Sequence, residues 1–162
     1  MYAIVLLPTV ASAQWAVVTH QVSAGGPETK LAQTTNSEGY TLEIYRDSGD
    51  AIRSRLTLAN GLLSLADKTC PTYQIDKGQP RNRSINNAPC LSSPQWAEFV
   101  LGHVQDGKIE SSTLHGLMIG INITYRFMLA NGDYRETKFS LAGSMRTLQT
   151  AFGQDITVTV SN

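Results

Sequence analysis

The sequence predicts a mainly β protein, an antiparallel β-sandwich or barrel-like domain with two short α-helices. Three observations support this fold class. Many short segments alternate apolar and polar side chains, which is the period of a half-buried strand. Turn-forming glycine, asparagine and aspartate residues separate these segments. Only two segments space their apolar side chains like an amphipathic helix.

The first third of the chain contains four strand candidates. Residues 15–22 are rich in β-forming residue types, and residues 28–35 form a weaker candidate. Residues 40–45 and 51–58 both alternate with a period of two, and the turn residues 47–50 join them. This pattern predicts an antiparallel hairpin whose arginines lie on the solvent-facing side.

A polar segment interrupts the strands in the middle of the chain. Residues 62–65 and 72–76 are short strand candidates. From residue 77 to residue 89 the chain is rich in glycine, proline, asparagine and serine, without any regular period. We expect an exposed loop there, held at its two ends.

A first helix is predicted after this loop. Ser93 and Pro94 fit a helix N-cap followed by proline at the first helical position. Asp106 and Gly107 would end the helix. The apolar stripe of this helix would consist of Trp96, Phe99, Val100, His103 and Val104.

The last third of the chain returns to strands. Asn131-Gly132 is the strongest hairpin signal in the sequence, since it joins two alternating segments. A second helix is predicted over residues 140–152, where Gly153 would end it. The strand candidates of this part are residues 108–114, 117–129, 134–141 and 155–160.

The N-terminal segment is typical of the end of a secretory signal peptide. A short apolar run precedes Ala11-Ser12-Ala13, which fits a cleavage site between small residues. No lysine or arginine precedes the run, so the signal would be truncated at its start, and a core strand is the alternative. We expect residues 1–13 to be a signal peptide and residues 14–162 to be a single β-rich domain, which implies a periplasmic or secreted protein.

The chain has two cysteines, Cys70 and Cys90. In an oxidising compartment a lone pair most simply forms one disulfide. A cytosolic protein with two reduced, buried thiols is the alternative. The three histidines are scattered and no zinc-type spacing accompanies the cysteines, so no metal site or cofactor is predicted.

Charge and motifs limit the function classes. Thirteen basic residues balance thirteen acidic ones, so no net field attracts nucleic acid, and an anionic partner would need a local patch. A nucleophile-elbow motif, a phosphate-binding loop and a calcium-binding loop are all missing from the sequence. We therefore predict no catalytic residues and a protein that is not an enzyme; its oligomeric state is left open.

The polar loop carries the only candidate contact residues. Lys77, Arg81 and Arg83 are its only charged side chains. On an exposed loop they could bind an acidic partner, either a protein or an anionic envelope or host component. The alternative is that these charges only keep the loop soluble.

The order of elements in the second half resembles the invasion-associated locus B family of bacterial exported proteins. The residues that carry the resemblance are Ile75-Asp76, the polar stretch to Cys90, Asp106-Gly107-Lys108, and the segment Lys138 to Gly143 before a helix. An early cysteine of that family is missing here. The resemblance implies a small β-rich periplasmic or surface-associated protein linked to envelope function or host-cell invasion, without catalytic residues.

Together these observations predict an exported binding protein whose partner is unknown and whose contact surface is the polar loop. The alternative is a small secreted hydrolase or enzyme inhibitor. A hydrolase would need a pocket in which a histidine converges with a carboxylate or a hydroxyl.

Overall fold

In a computed structural model, the structure describes residues 14–21, 24–61, 63–81 and 90–160. The predicted signal peptide, residues 1–13, and Arg83 of the predicted contact loop lie outside the described residues. The predicted fold class is confirmed: the protein is mainly β with two helices, and its sheets fit a sandwich and do not close into a barrel.

The described residues form eleven strands and two helices. In chain order they are β1 (Ala16–Gln21), β2 (Glu28–Thr35), β3 (Thr41–Arg46), β4 (Ala51–Thr57), β5 (Thr72–Ile75), β6 (Leu91–Ser93), β7 (Trp96–Gln105), β8 (Lys108–Glu110), α1 (Ser112–Ile119), β9 (Asn122–Met128), β10 (Tyr134–Ser140), α2 (Ser144–Phe152) and β11 (Thr157–Thr159).

Two sheets make the sandwich. The larger sheet has the order β1-β2-β3-β4-β7-β8-β11, and β6 also pairs with β7. Its neighbours are antiparallel except β8 and β11, which are parallel. The smaller sheet has the order β10-β9-β5 and is antiparallel throughout.

The core lies between the inward faces of the two sheets. Tyr73 of the smaller sheet packs edge-on against Phe99 of the larger one, with ring centroids 5.3 Å apart. Tyr125 lies beside both rings and also contacts Phe139. Edge-on aromatic packing of this kind adds to the burial of apolar area. The largest fully buried side chains include Leu42, Ile44, Ile52, Leu56, Leu117, Ile123 and Leu148.

The helix predicted over residues 140–152 is confirmed as α2. It buries Leu148 and Phe152 and packs against β1, β2 and β3. The hairpin predicted at Asn131-Gly132 is also confirmed, since it joins β9 and β10 and Gly132 has a φ of 89°. In the part of the chain that the structure describes, no helix has the length and apolar character needed to cross a membrane.

The helix predicted from Trp96 is wrong, because residues 96–105 form β7. Every residue pair from Arg53–Val100 to Thr57–Trp96 is in antiparallel register with β4. Ala97 and Phe99 face the core, so the apolar side chains also fit a period of two. Pairing with β4 and burial against the smaller sheet therefore override the local helical spacing.

A helix also replaces part of a predicted strand. Only residues 108–110 of the predicted strand 108–114 are extended, and α1 follows. The Ser111 hydroxyl accepts a hydrogen bond from the Leu114 N–H at 3.1 Å, which caps the new helix. The candidate over residues 62–65 forms no strand among its described residues, where only Leu65 pairs, with Leu129.

Candidate binding site on the larger sheet

A polar row crosses the outward face of the larger sheet. The strand register places Gln33, Glu43, Arg55 and Glu98 side by side on β2, β3, β4 and β7. Side chains at paired positions in neighbouring strands point to the same face. These four therefore lie together on the side of the sheet away from the core.

Glu98 is the centre of this row. Only 6% of it is exposed. Its Oε2 accepts hydrogen bonds from Arg55 at 2.8 Å and 3.0 Å and from the Tyr45 hydroxyl. Its Oε1 accepts one from Arg53 Nη1 at 3.1 Å. A buried carboxylate needs this number of donors to balance its loss of water.

The guanidinium of Arg55 is held on three sides. It lies 4.8 Å from the ring centroid of Trp96 and 5.8 Å from that of Tyr45. Its Nε and one terminal nitrogen donate to Glu98. The other terminal nitrogen, Nη1, donates to no described residue. Ring stacking and ion pairing thus fix the group and leave one set of N–H donors free.

Asp47 extends the network at the β3–β4 turn. Its Oδ2 accepts from Arg53 Nε, and its Oδ1 accepts from the backbone N–H groups of Gly49 at 2.8 Å and Ala51 at 2.9 Å. Burial opposes the charge of this carboxylate, but the hydrogen bonds outweigh burial and lower the pKa of Asp47.

Tyr45 is held in its neutral form. Burial, together with its hydrogen bond to the charged Glu98, raises the pKa of Tyr45 to about 12. At neutral pH its hydroxyl is therefore a donor, and the Glu98 carboxylate is the acceptor. The bond thus fixes the ring beside Arg55.

A pocket of about 260 Å³ opens on this face beside Arg55. Its lining includes the guanidinium-bearing Arg55, the carboxylate-bearing Glu43 and the apolar Leu31. Glu43 accepts from Gln33 Nε2 at 2.8 Å through Oε1 only, which leaves Oε2 as an acceptor. The residues that line the pocket are His20, Thr29, Leu31, Glu43, Tyr45 and Arg55.

The charges around the pocket do not favour an anion. Among the residues that line it, the carboxylate of Glu43 balances the guanidinium of Arg55, with histidine counted as neutral. Arg55 is already paired with Glu98. The lining therefore suits a neutral polar molecule.

The disulfide between Cys70 and Cys90 is present, with 5.8 Å between the two Cα atoms. Cys70 precedes β5 of the smaller sheet, and Cys90 directly precedes β6 of the larger sheet. The bond therefore connects the two sheets covalently.

The structure places the predicted contact residues away from the pocket. Lys77 and Arg81 are exposed and lie next to β5, on the smaller sheet. Arg81 pairs with Tyr73 through backbone hydrogen bonds of 2.7 Å and 3.4 Å, so the start of the loop is more regular than its composition suggests.

The histidines are not brought together. His20 lines the pocket, His103 is exposed on β7, and His115 is half-buried on α1. Within the described ranges, none of the three side chains hydrogen-bonds a carboxylate or a hydroxyl, and no three residues of the metal-ligating types form a group.

Glu98 and Trp96 were missed by the sequence analysis because residues 96–104 were assigned to a helix. The signal that could have found Glu98 is its position between the inward-facing Ala97 and Phe99, opposite a strand with two outward arginines.

In comparisons with known proteins, no family model, no curated protein and no solved structure matches the chain.

Proposed function

We propose that this chain is an exported periplasmic or surface-associated binding protein that holds a small hydroxyl-rich molecule in the pocket on its larger sheet. Export is supported by the Cys70–Cys90 disulfide, because such bonds persist in oxidising compartments. The N-terminal Ala11-Ser12-Ala13 pattern supports export independently. A role in envelope function or host-cell invasion is part of the same proposal and follows from the family resemblance.

The nearly buried Glu98 is the observation that carries the binding site. Its donors, Arg53, Arg55 and Tyr45, come from two neighbouring strands and are fixed before any ligand arrives. Side chains held in this way lose little conformational freedom on binding.

The donor and acceptor pattern selects the ligand class. Arg55 supplies donors, and the unpaired Oε2 of Glu43 supplies an acceptor, both at the same pocket. A hydroxyl group donates and accepts at once, so a neutral sugar satisfies both. The apolar wall at Leu31 suits the C–H face of such a ring.

Trp96 provides a direct readout because its ring stacks on Arg55. We expect saturable changes in tryptophan fluorescence when neutral monosaccharides or amino sugars are titrated into the purified protein. The corresponding sugar acids should bind at least ten-fold more weakly, because Arg55 is already paired with Glu98 and the Glu43 carboxylate in the lining repels an anion.

The matched variants are Arg55→Lys and Arg126→Lys. Arg126 also pairs with a glutamate across neighbouring strands, but on the smaller sheet. Arg55→Lys should weaken sugar binding at least ten-fold. The planar guanidinium group can pair with Glu98 and still present further N–H donors in a fixed geometry, whereas the single ammonium group of lysine cannot. Arg126→Lys should leave binding unchanged. Equal affinity of both variants, or no saturable response to any sugar, would overturn the proposal.

A further inference from the structure

Two exposed isoleucines form a tip at one end of the sandwich. Ile119 ends α1 and is 59% exposed, and Ile121 precedes β9 and is 72% exposed. Single exposed apolar residues are common on protein surfaces. Two large ones separated by one residue form a contiguous apolar patch, and such patches mark contact surfaces. We call Ile119 and Ile121 the isoleucine tip.

The tip is held rigidly. The Asp76 carboxylate accepts hydrogen bonds from the backbone N–H of Ile121 at 3.1 Å and of Asn122 at 2.8 Å. Gly120, between the isoleucines, lies so close to Ile75 that an added Cβ would come within 2.8 Å of Ile75 Cγ2. These contacts therefore fix the backbone that carries the two exposed side chains.

Three basic residues lie on the segments that adjoin the tip. Lys77 directly follows Asp76, which hydrogen-bonds the tip backbone. Lys138 lies on β10, two residues before Ser140, which pairs with Asn122. Arg146 lies in the first turn of α2. The Ser144 hydroxyl bonds the Leu117 carbonyl at 2.6 Å, which places that turn beside the end of α1. In the described part of the chain, none of these three cations forms an ion pair.

Asp76 is the carboxylate that hydrogen-bonds the backbone of the tip. Its single negative charge is smaller than the summed positive charge of Lys77, Lys138 and Arg146. The whole chain has a net charge of zero, so this end is a local excess of positive charge. Exposed apolar side chains close to cations are complementary to the surface of an anionic bilayer, because the negative headgroups attract the cations and the hydrocarbon beneath them accepts the apolar side chains.

We propose that the isoleucine tip and the surrounding cations dock the protein on an anionic lipid bilayer. Ile119 and Ile121 enter the headgroup boundary, and Lys77, Lys138 and Arg146 contact the lipid phosphates. The inference rests on the export that the proposed function assumes, and it does not depend on the sugar pocket.

Co-sedimentation with vesicles tests the docking surface. The probes are vesicles of phosphatidylcholine alone and of phosphatidylcholine with phosphatidylglycerol, at low and high salt. We expect the wild-type protein to bind the anionic vesicles and to lose most of this binding at high salt, because each cation near such a surface changes the partition about five-fold.

Two variants separate the apolar and the charged contributions. Ile119→Ser with Ile121→Ser should weaken vesicle binding at least ten-fold, and Lys77→Glu with Arg146→Glu should do the same. The control is Met128→Ser with Tyr134→Ser, which removes an exposed apolar pair on the smaller sheet, far along β9 from the tip. Its binding should match the wild type.

Equal binding to both kinds of vesicle, no binding at all, or equal loss in the control variant would overturn the docking proposal. Capture of an acidic protein without any vesicle binding would overturn it as well. Sugar titration of the same variants keeps the two proposals distinguishable, because the tip variants should retain full sugar affinity.

Discussion

Arg55 and Glu98 occupy paired positions on β4 and β7, and two hydrogen bonds of 2.8 Å and 3.0 Å join them. The pair connects strands that lie 43 residues apart in the sequence. It therefore fixes a long-range strand contact and the geometry of the pocket at the same time.

Replacing Glu98 with Gln should destabilise the protein by about 3 kcal/mol, because Arg55 would lose its counterion and Arg53 would keep only Asp47. Urea unfolding measures the change. The control is Glu136→Gln, because Glu136 is 49% exposed whereas Glu98 is 6% exposed, and that change should cost less than about 1 kcal/mol. Similar costs for the two variants would show that Glu98 is not the centre of the network.

Acid should destabilise the fold through Asp47. Its pKa is lowered in the folded protein, so its stabilising effect is complete above the ordinary aspartate value of 3.8 and is lost as the pH falls through the folded value. Unfolding free energies measured from about pH 5 downward should fall less steeply for Asp47→Asn than for the wild type. Parallel curves would contradict this role.

Gly120→Ala should destabilise the protein by about 1 to 3 kcal/mol, because the added methyl group overpacks a tight junction. Its Cβ would lie 2.6 Å from the Gly116 carbonyl oxygen. Gly49→Ala is the control, since its nearest neighbour is 3.4 Å away, at Asp47 Oδ1, and thermal unfolding should show little change.

Two buried threonines should respond in opposite directions to valine. The Thr34 hydroxyl has no hydrogen-bond partner among the described residues, so Thr34→Val should stabilise the protein by about 1 kcal/mol. The Thr137 hydroxyl accepts from Asn36 and donates to Glu38, both at 2.7 Å, so Thr137→Val should destabilise it. Urea midpoints compare the two, and shifts of the same sign would show that the hydroxyl contacts do not decide the outcome.

Removing the disulfide with Cys70→Ser and Cys90→Ser should cost about 3 kcal/mol, as expected for a loop closed across 20 residues. The wild type measured with and without reductant should show the same difference. A reductant effect on the double variant would mean that the loss has another origin.

Local patterns predicted the hairpins well. The β3–β4 and β9–β10 pairs follow from alternation and turn residues that lie within one short window. The helix predicted from Trp96 is wrong because, over so few residues, the apolar spacing fits both the helical period of 3.6 and the strand period of two. The deciding contact, between Arg55 and Glu98, joins distant segments and leaves no local signal.

The site was predictable only in part. The sequence placed arginines on the outward face of the hairpin, and Arg53 and Arg55 do lie there. It could not bring Trp96 over Arg55, because that requires the order of β4 and β7 within the sheet. The order of strands is set by packing of the whole sandwich and not by any one segment.

The covalent connection between the sheets has a mechanical consequence. Pulled from its ends, the oxidised chain cannot extend the segment between Cys70 and Cys90, which are 20 positions apart. That segment would contribute roughly 66 to 72 Å of contour length if it were free. Tension applied at the two ends of the chain would therefore pass through the disulfide and would not be transmitted along the segment that it closes.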